Sequence, residues 1–348
     1  MRSLVFLISS LALGCGGSSG TPGSDASTGD ASPPIVAPPG TWTWIPIDGM
    51  TCADGSPTGI GVNLVDTSPD VMVFMAGGGA CWDANTCFSL MSAVHITGGY
   101  GQTEFNSEIM GIGGAYILQR AAVNPFANAS WIYVPYCTGD LHDGNNVATY
   151  GTAQVHHVGR RNTSALMERL AATRPDATMV WMLGASAGGY GVSFDWDLAR
   201  LAWPQAKVHV LADSSQLVAM EPTRWSAMQA SWQLSFPPTC STCTSDLGAM
   251  TAALRDTARP GERYGLLAYT RDQTIAQYFG LTMDQLQTAT LAAQAAMSPT
   301  SGQAAYVLAG SGHVLLASPT AQTSGGVVLS TWIQQWATGD AAWANAGP

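Results

Sequence analysis

The sequence predicts a doubly wound α/β fold, in which a mostly parallel sheet carries helices on both faces. Short, continuously apolar runs such as 71–75 and 208–213 have the composition of strands buried on both sides. Stretches with helical spacing of apolar residues, such as 163–172, stand between these runs. Strands that alternate with helices build parallel sheets through crossover connections, so this alternation indicates the fold class.

The remaining elements are expected in the same alternating order. The stretch 215–262 is less regular and is a candidate lid. Neither an internal repeat nor a second linker follows residue 40, so 41–348 is expected to form a single catalytic domain. The other predicted strands are 131–134, 179–183, 264–269 and 305–308, and the other predicted helices are 284–297 and 327–337.

The N-terminus has the pattern of an export signal. Arg2 precedes an apolar run at 4–13 that is too short to span a bilayer, and Cys15 follows it. Segment 1–15 resembles a bacterial lipoprotein signal, which predicts lipidation of Cys15 and an outer-membrane lipoprotein; an ordinary signal peptide and secretion are the alternative. Residues 16–40 are rich in Gly, Ser, Thr and Pro and are expected to be a disordered tether.

The charge of the chain argues against a nucleic-acid partner. The net charge is −10, only 10% of residues are charged, and lysine and arginine form no run. Nucleic-acid binding needs clustered cations for the phosphates. We expect a monomer without a cofactor, whose membrane contact is limited to a lipid on Cys15.

The cysteines predict three disulfides. Six of the seven remain once Cys15 is set aside, and an even number in an exported chain indicates paired cysteines. Fifteen connectivities are open, of which Cys81–Cys87 is a plausible short loop. Zinc is the alternative at Cys240 and Cys243, but no second CxxC or histidine pair accompanies them, so no metal is predicted. The six candidates are Cys52, Cys81, Cys87, Cys137, Cys240 and Cys243.

The segment 184–188 carries the strongest functional signal. It reads Gly-Ala-Ser-Ala-Gly and directly follows the predicted strand 179–183. Small residues at this position allow a tight strand-to-helix turn that leaves the Ser186 hydroxyl exposed at the strand tip. The motif therefore predicts a serine hydrolase with Ser186 as nucleophile.

A serine nucleophile needs a histidine base and a carboxylate that orients it. In the order typical of α/β hydrolases the acid and then the histidine follow the serine. His209 lies inside a predicted strand and leaves almost no room for an acid, so His313 is the candidate base. Asp213 and Asp272 both end predicted strands; Asp272 is favoured because the acid normally comes from a later strand, and Asp213 could instead bind amides of a neighbouring loop.

The glycines that follow the strand 71–75 are candidates for an oxyanion hole. Gly77, Gly78 and Gly79 can turn backbone N–H groups toward a substrate because they lack a Cβ atom. The amide of Ala187, directly after the nucleophile, is the expected further donor.

Three blocks of this sequence resemble the pectin acetylesterase and Notum-type carboxylesterase family. The resemblance extends over 45–320 and is carried by 52–57 with 77–87, by 136–144 and by 184–189. It implies an α/β-hydrolase-like fold and a cofactor-free Ser-Asp-His esterase. Members of this family cleave acetyl esters from pectin or a fatty acyl ester from a secreted signalling protein.

The resemblance also implies site residues, and two positions depart from it. It matches Ser186, Asp272 and His313 to the triad, and Gly77 and Gly78, with Ala187, to the oxyanion hole. The family has a tryptophan where Gly79 stands, so the size of the acyl pocket is expected to differ. The family often has a cysteine near His313, and this chain has none there.

The leading hypothesis is an exported serine carboxylesterase acting on acyl esters of polysaccharides, with acetyl as the expected acyl group. Pectin is one candidate, although the acidic chain gives no attraction to a polyanion, and a neutral acetylated polysaccharide or a small ester fits equally. A lipase-like esterase or polyester depolymerase with the same triad is the first alternative. The second is a non-catalytic, glycan-binding surface lipoprotein that uses some of its twelve tryptophans.

Overall fold

The computed structural model describes residues 33–348, which form an α/β domain around an eight-stranded sheet. A separate two-stranded ribbon lies outside this sheet. The strands of the described residues are β1 (Thr43–Thr51), β2 (Pro57–Asn63), β3 (Val71–Met75), β4 (Ser130–Val134), β5 (Asn146–Tyr150), β6 (Ala153–His157), β7 (Met179–Ala185), β8 (Lys207–Asp213), β9 (Tyr264–Tyr269) and β10 (Gln303–Leu308).

Helices connect most of these strands and cover the sheet. The predicted helices at 163–172, 284–297 and 327–337 correspond to α2, α8 and α9 in the following order. The α-helices of residues 33–348 are α1 (Gln102–Ile112), α2 (Gly159–Thr173), α3 (Ala187–Phe194), α4 (Trp196–Ala202), α5 (Pro222–Trp232), α6 (Met250–Thr257), α7 (Gln273–Phe279), α8 (Met283–Ala296) and α9 (Leu329–Thr338).

The large sheet has the order β1-β2-β4-β3-β7-β8-β9-β10, and its pairs from β4 to β10 are parallel. The predicted fold class is thereby confirmed. The hairpin of β1 and β2 is antiparallel and extends the sheet beyond β4. Neither this hairpin nor the ribbon of β5 and β6 was predicted, because neither has the continuous apolar run of a strand buried on both faces.

Apolar side chains of the parallel strands alternate between two cores. On β3, Val71 and Val73 belong to the core that includes α2, whereas Met72 belongs to the core beneath α9. Trp332 and Trp336 of α9 are buried in the second core. Successive side chains of a strand point to opposite faces, so both faces of the sheet are covered as predicted.

The parallel strands bring their carboxyl ends to one edge of the sheet. β3 ends at Met75, β7 at Ala185, β8 at Asp213 and β9 at Tyr269, and the register places Met75 beside Gly184. Ligands of open α/β sheets bind at this edge.

All six cysteines of the described residues are paired in disulfides, in agreement with the predicted number. The longest link joins the turn after β1 to the loop after β4 across 85 residues. The CxxC pair is bonded to itself, so the zinc alternative does not apply to it. The pairs are Cys52–Cys137, Cys81–Cys87 and Cys240–Cys243.

The N-terminal predictions fall mostly outside the described residues. The signal segment 1–15, the lipidation site Cys15 and the tether up to residue 32 all lie there. Ile35 is buried, and its N–H donates to Thr173 Oγ1 at 2.9 Å, so packing against the domain begins ahead of residue 41. Among residues 33–348, the helices are all too short or too polar to cross a membrane.

A buried histidine makes the stability of this sheet depend on pH. His209 of β8 is 1% exposed and packs 5.7 Å from the Trp336 ring. Burial, aided by the charges of Arg263 and Lys207, lowers its pKa to about 3. The folded chain therefore keeps His209 neutral, whereas the unfolded chain protonates it below its ordinary pKa of 6.5.

We predict that the free energy of unfolding falls as the pH drops below 6.5, by about 2 kcal/mol from this residue between pH 6.5 and 5. In His209→Leu this part of the fall should be absent. Urea unfolding of both proteins at pH 7 and pH 5 measures the difference. An equal loss of stability in both proteins would contradict the assignment.

Candidate active site

A cleft of about 520 Å³ opens at the carboxyl edge of the sheet. Ser186 and His313, two of the predicted site residues, both line it. So does the glycine loop 77–79, together with Thr274 and Tyr278 of α7. The structure thus brings the predicted nucleophile, base and oxyanion loop to one place, although they are far apart in sequence.

Ser186 occupies the turn between β7 and α3 in a backbone conformation that residues other than glycine rarely adopt. Its φ is +55°, and its N–H donates to the carbonyl of Asp213 at 2.8 Å. A Cβ atom on Gly184 would clash with the carbonyl of Gly188, and one on Gly188 would clash with the carbonyl of Met75. The glycines are therefore required for the turn that presents the serine.

The candidate acid and base are joined by a hydrogen bond. His313 Nδ1 lies 2.8 Å from Asp272 Oδ2, and Asp272 is fully buried. The other carboxylate oxygen accepts the Ile275 N–H at 3.0 Å, so the carboxylate also caps α7. With Nδ1 donating to Asp272, Nε2 is the nitrogen that can accept a proton.

Within residues 33–348, the side chains of Ser186 and His313 line the same cleft without a hydrogen bond between them. Such bonds are commonly long in unliganded enzymes and tighten when substrate is bound. The geometry is compatible with a base acting on Ser186 Oγ.

Asp213, the alternative acid, binds backbone amides instead of His313. Its two carboxylate oxygens accept the N–H groups of Leu315 and Leu316 at 2.9 and 2.7 Å. The neighbouring Ser214 Oγ accepts the Val314 N–H at 2.8 Å. Burial raises the pKa of Asp213 to about 6, partly offset by these amides. Asp213 therefore fixes the loop that follows His313, which is the structural role considered for it above.

We predict different phenotypes for substitutions of Asp272 and Asp213. Asp272→Asn keeps a cap for α7 but cannot hold the same His313 tautomer, so kcat should fall by about 10³–10⁴ with little change in Tm. Asp213→Asn leaves a buried loop amide without its acceptor and should cost about 1–3 kcal/mol of stability.

Ester-hydrolysis kinetics and thermal unfolding of both variants test this assignment. If Asp213→Asn lost kcat to the same extent at unchanged Tm, while Asp272→Asn stayed active, the acid would be Asp213.

The predicted oxyanion donors are amides without an internal partner. Within the described residues, the N–H groups of Gly77, Gly78, Gly79 and Ala187 donate to no protein acceptor. Gly77, Gly78 and Gly79 line the cleft, as does Ser186. Unpaired amides are uncommon in folded proteins unless something else binds them, so these groups are available to an anion that develops in the cleft.

Gly79 is the position where the resembling family has a tryptophan, and here only glycine fits. Its φ is +81°, and a Cβ atom would clash with the Tyr278 hydroxyl and the Ser92 carbonyl. The Tyr278 hydroxyl donates to that same carbonyl. Tyr278 thus fills the space beside Gly79.

Ser186 also lines a small apolar pocket, separate from the cleft, that was not predicted from the sequence. Its volume is about 20 Å³, which is room for roughly one water-sized group. Part of its wall comes from the candidate lid 215–262, which therefore borders the site. No sequence signal separates its apolar residues from ordinary core. They include Leu141, Tyr190, Met220, Met228, Trp232 and Phe279.

A family model described as pectinacetylesterase matches residues 45–237 of this chain. The matched range contains the glycine loop and Ser186. It ends before Asp272 and His313, so the match gives no information about the acid and the base.

Curated relatives agree with this family. The chain is 28% identical over 181 residues to the palmitoleoyl-protein carboxylesterase NOTUM of Mus musculus, covering 47% of this chain and 33% of the relative. It therefore spans about a third of the length of that relative. A Danio rerio protein named inactive palmitoleoyl-protein carboxylesterase notum1b is 29% identical over 114 residues, covering 32% of this chain and 77% of the relative.

A solved structure shares this fold. The structure of the Wnt deacylase Notum from Drosophila superimposes with a TM-score of 0.65 at 17% identity, covering 88% of this chain and 99% of that chain.

Proposed function

The chain belongs to the pectinacetylesterase family, and on this basis we propose that it is a serine carboxylesterase that removes acetyl groups from polysaccharides. The observation that carries the proposal is the pairing of His313 with Asp272 at 2.8 Å in the cleft that Ser186 also lines. Four unpaired amides accompany this pair. This arrangement has the parts that acyl transfer requires.

In the proposed reaction, Ser186 Oγ attacks the ester carbonyl while His313 Nε2 takes the hydroxyl proton. Asp272 keeps the His313 ring in place and stabilises its positive charge. The amides of the glycine loop 77–79 and of Ala187 bind the oxygen that becomes negative. His313 then gives its proton to the departing sugar oxygen. A water molecule, activated by the same histidine, hydrolyses the acyl-enzyme and releases acetate.

The small pocket beside Ser186 supports acetyl as the acyl group. About 20 Å³ accommodates a methyl group and excludes a long hydrocarbon chain. Met228 and Trp232 of α5 and Phe279 of α7 close it. With this pocket as the acyl site, the lipase-like alternative is disfavoured, because it needs room for a long chain. The relatives named after palmitoleoyl esters share the family, and this chain's own residues argue for a shorter acyl group.

The non-catalytic alternative has less support. Eight of the twelve tryptophans are buried, Trp225 and Trp232 among them at 1% and 0% exposure, and the other four are half-buried. A binding protein would also have no use for a buried carboxylate that holds the histidine of the cleft.

Export is part of the proposal. Three disulfides fit a protein that works in an oxidising compartment. Together with the signal pattern of 1–15, they support secretion or anchoring to the outer membrane through Cys15.

We predict that the full chain hydrolyses p-nitrophenyl esters with a maximum at the acetyl ester among chain lengths from C2 to C16. Ser186→Ala should reduce kcat at least about 10³-fold because it removes the nucleophile. Met228→Ala enlarges the acyl pocket and should move the maximum to a longer chain. Steady-state kinetics of the purified wild type, Ser186→Ala and Met228→Ala on the ester series measures these effects.

Thr274→Ala is the matched control, since it removes a hydroxyl from the same cleft but not the proposed nucleophile. A maximum at C16 would favour the lipase-like alternative. Folded protein that is inactive on every ester would contradict the enzyme proposal. Wild-type activity in Ser186→Ala would contradict the assignment of Ser186 as the nucleophile.

A further inference from the structure

A second groove, of about 720 Å³, lies directly beside the catalytic cleft. The two share Ser92 and Tyr278. The Tyr278 hydroxyl donates a hydrogen bond to the Ser92 carbonyl, so these two residues form the ridge between the cleft and the groove. A molecule that places an ester over Ser186 can extend across this ridge, and the proposed reaction makes no other use of the groove.

The groove combines a flat aromatic surface with polar side chains. Trp82 is half-buried, and its ring meets that of Trp232 edge to face at 6.5 Å. The Arg224 guanidinium lies over the Trp82 ring, 5.8 Å from its centroid, so the face turned away from Arg224 is the one a sugar would stack on. Polar side chains, among them Asn85, Thr223 and Gln277, also line the groove. A pyranose ring has apolar C–H faces and hydroxyl edges, so it matches an indole face surrounded by hydrogen-bonding groups.

The fixed charges of the groove favour a neutral chain. Glu221 caps α5 by accepting the N–H groups of Thr223 and Arg224, and these bonds lower its pKa, so it is charged at neutral pH. Asp83 adds a second carboxylate, and Arg224 supplies a guanidinium held by the carbonyl of Tyr278 at 2.9 Å. Two carboxylates against one cation, in a chain of net charge −10, repel a polymer with a carboxylate on each sugar.

We propose that this groove binds the sugar chain of the substrate, that Trp82 is its stacking platform, and that the substrate is a neutral O-acetylated polysaccharide. The inference rests on the proposed function, because it extends the same site.

The test compares acetyl release from acetylated xylo-oligosaccharides with hydrolysis of p-nitrophenyl acetate, which lacks the sugar chain that the groove is proposed to bind. Trp82→Ala should lower the ratio of kcat/KM for the xylo-oligosaccharides to kcat/KM for p-nitrophenyl acetate about tenfold, as expected for loss of one aromatic anchor. Phe88→Ala is the control, because Phe88 is an exposed aromatic residue close in sequence but outside the groove. Acetylated polygalacturonate should be a poorer substrate than the xylo-oligosaccharides, and Glu221→Gln should narrow that difference.

An unchanged ratio in Trp82→Ala, or a preference for polygalacturonate, would overturn the groove proposal. Either result still leaves Ser186-dependent hydrolysis of p-nitrophenyl acetate intact. Absence of that hydrolysis would contradict the proposed function itself, so the two failures can be distinguished.

A separate observation concerns the oxyanion loop. His142 is buried, its Nε2 lies 2.8 Å from the carbonyl of Ala76, and its ring packs 4.7 Å from the Tyr136 ring. It belongs to the block 136–144, to which the proposed mechanism assigns no role. A carbonyl can only accept, so Nε2 carries the proton of this bond.

The Ala76 carbonyl and the Gly77 N–H belong to the same peptide unit. In a planar trans peptide these two groups point in opposite directions. A hydrogen bond that holds the carbonyl from the buried side therefore fixes the direction of the Gly77 N–H on the other side. The Val94 N–H, which donates to the Gly78 carbonyl at 2.9 Å, constrains the Gly79 N–H in the same way.

We infer that His142 is a positioning residue for the oxyanion hole, acting through the Ala76–Gly77 peptide. This inference also rests on the proposed function. His142→Phe removes the donor and should lower kcat on p-nitrophenyl acetate by about 10–100-fold at nearly unchanged KM. His142→Gln retains an N–H donor and should recover part of the loss.

Rates are to be expressed per reactive Ser186, titrated with a fluorophosphonate, so that misfolded protein does not count. A purely structural role would lower Tm and the number of titratable sites but leave kcat per site unchanged. That result in His142→Phe would overturn the inference. If His142→Phe does not fold, a wild-type kcat per site in His142→Asn, whose shorter amide cannot reach Ala76, would overturn it equally.

Discussion

The site depends on the close backbone approach between the end of β3 and the start of α3. Gly188 lies so near the carbonyl of Met75 that no side chain fits between them. This contact places the loop that follows β3 against the turn that presents Ser186. The unpaired amides of Gly77 and Gly78 and the hydroxyl of Ser186 therefore line one cleft. A larger residue at position 188 would separate the proposed nucleophile from its proposed oxyanion donors.

Two buried carboxylates, Asp213 and Asp272, follow neighbouring strands, and both help to position His313. Asp272 orients the His313 ring directly, whereas Asp213 holds the backbone that follows it through Leu315 and Leu316. Burial penalises the charge of Asp213, and the amides it accepts offset part of that cost. The same residue type thus serves two purposes, because the Asp272 carboxylate meets an imidazole N–H, whereas the Asp213 carboxylate meets two backbone amides and the Ser214 hydroxyl.

The proposed substrate selection follows from how α7 and α5 pack beside the Ser186 turn and the glycine loop 77–79. Tyr278 of α7 lines the cleft, the acyl pocket and the neighbouring groove, and it fills the space beside Gly79. Met228 and Trp232 of α5 reduce the acyl pocket to about the size of a methyl group. The groove beyond Tyr278 combines the Trp82 ring with polar side chains, and it carries two carboxylates and one guanidinium. A small acyl group on a neutral sugar chain matches both spaces.

The sequence by itself determined the parallel strands, the turn at Ser186 and the candidates for acid and base, because apolar periodicity and glycine spacing report local conformation. It determined neither which cysteines pair nor which of Asp213 and Asp272 meets His313. The hairpin of β1 and β2 and the acyl pocket also emerged only in the structure. The hairpin is local, but its strands lack the continuous apolar run of a strand buried on both faces. The acyl pocket joins residues distant in the chain, and its buried aromatic and methionine side chains have the composition of ordinary core. Only tertiary packing decides which of them border a cavity.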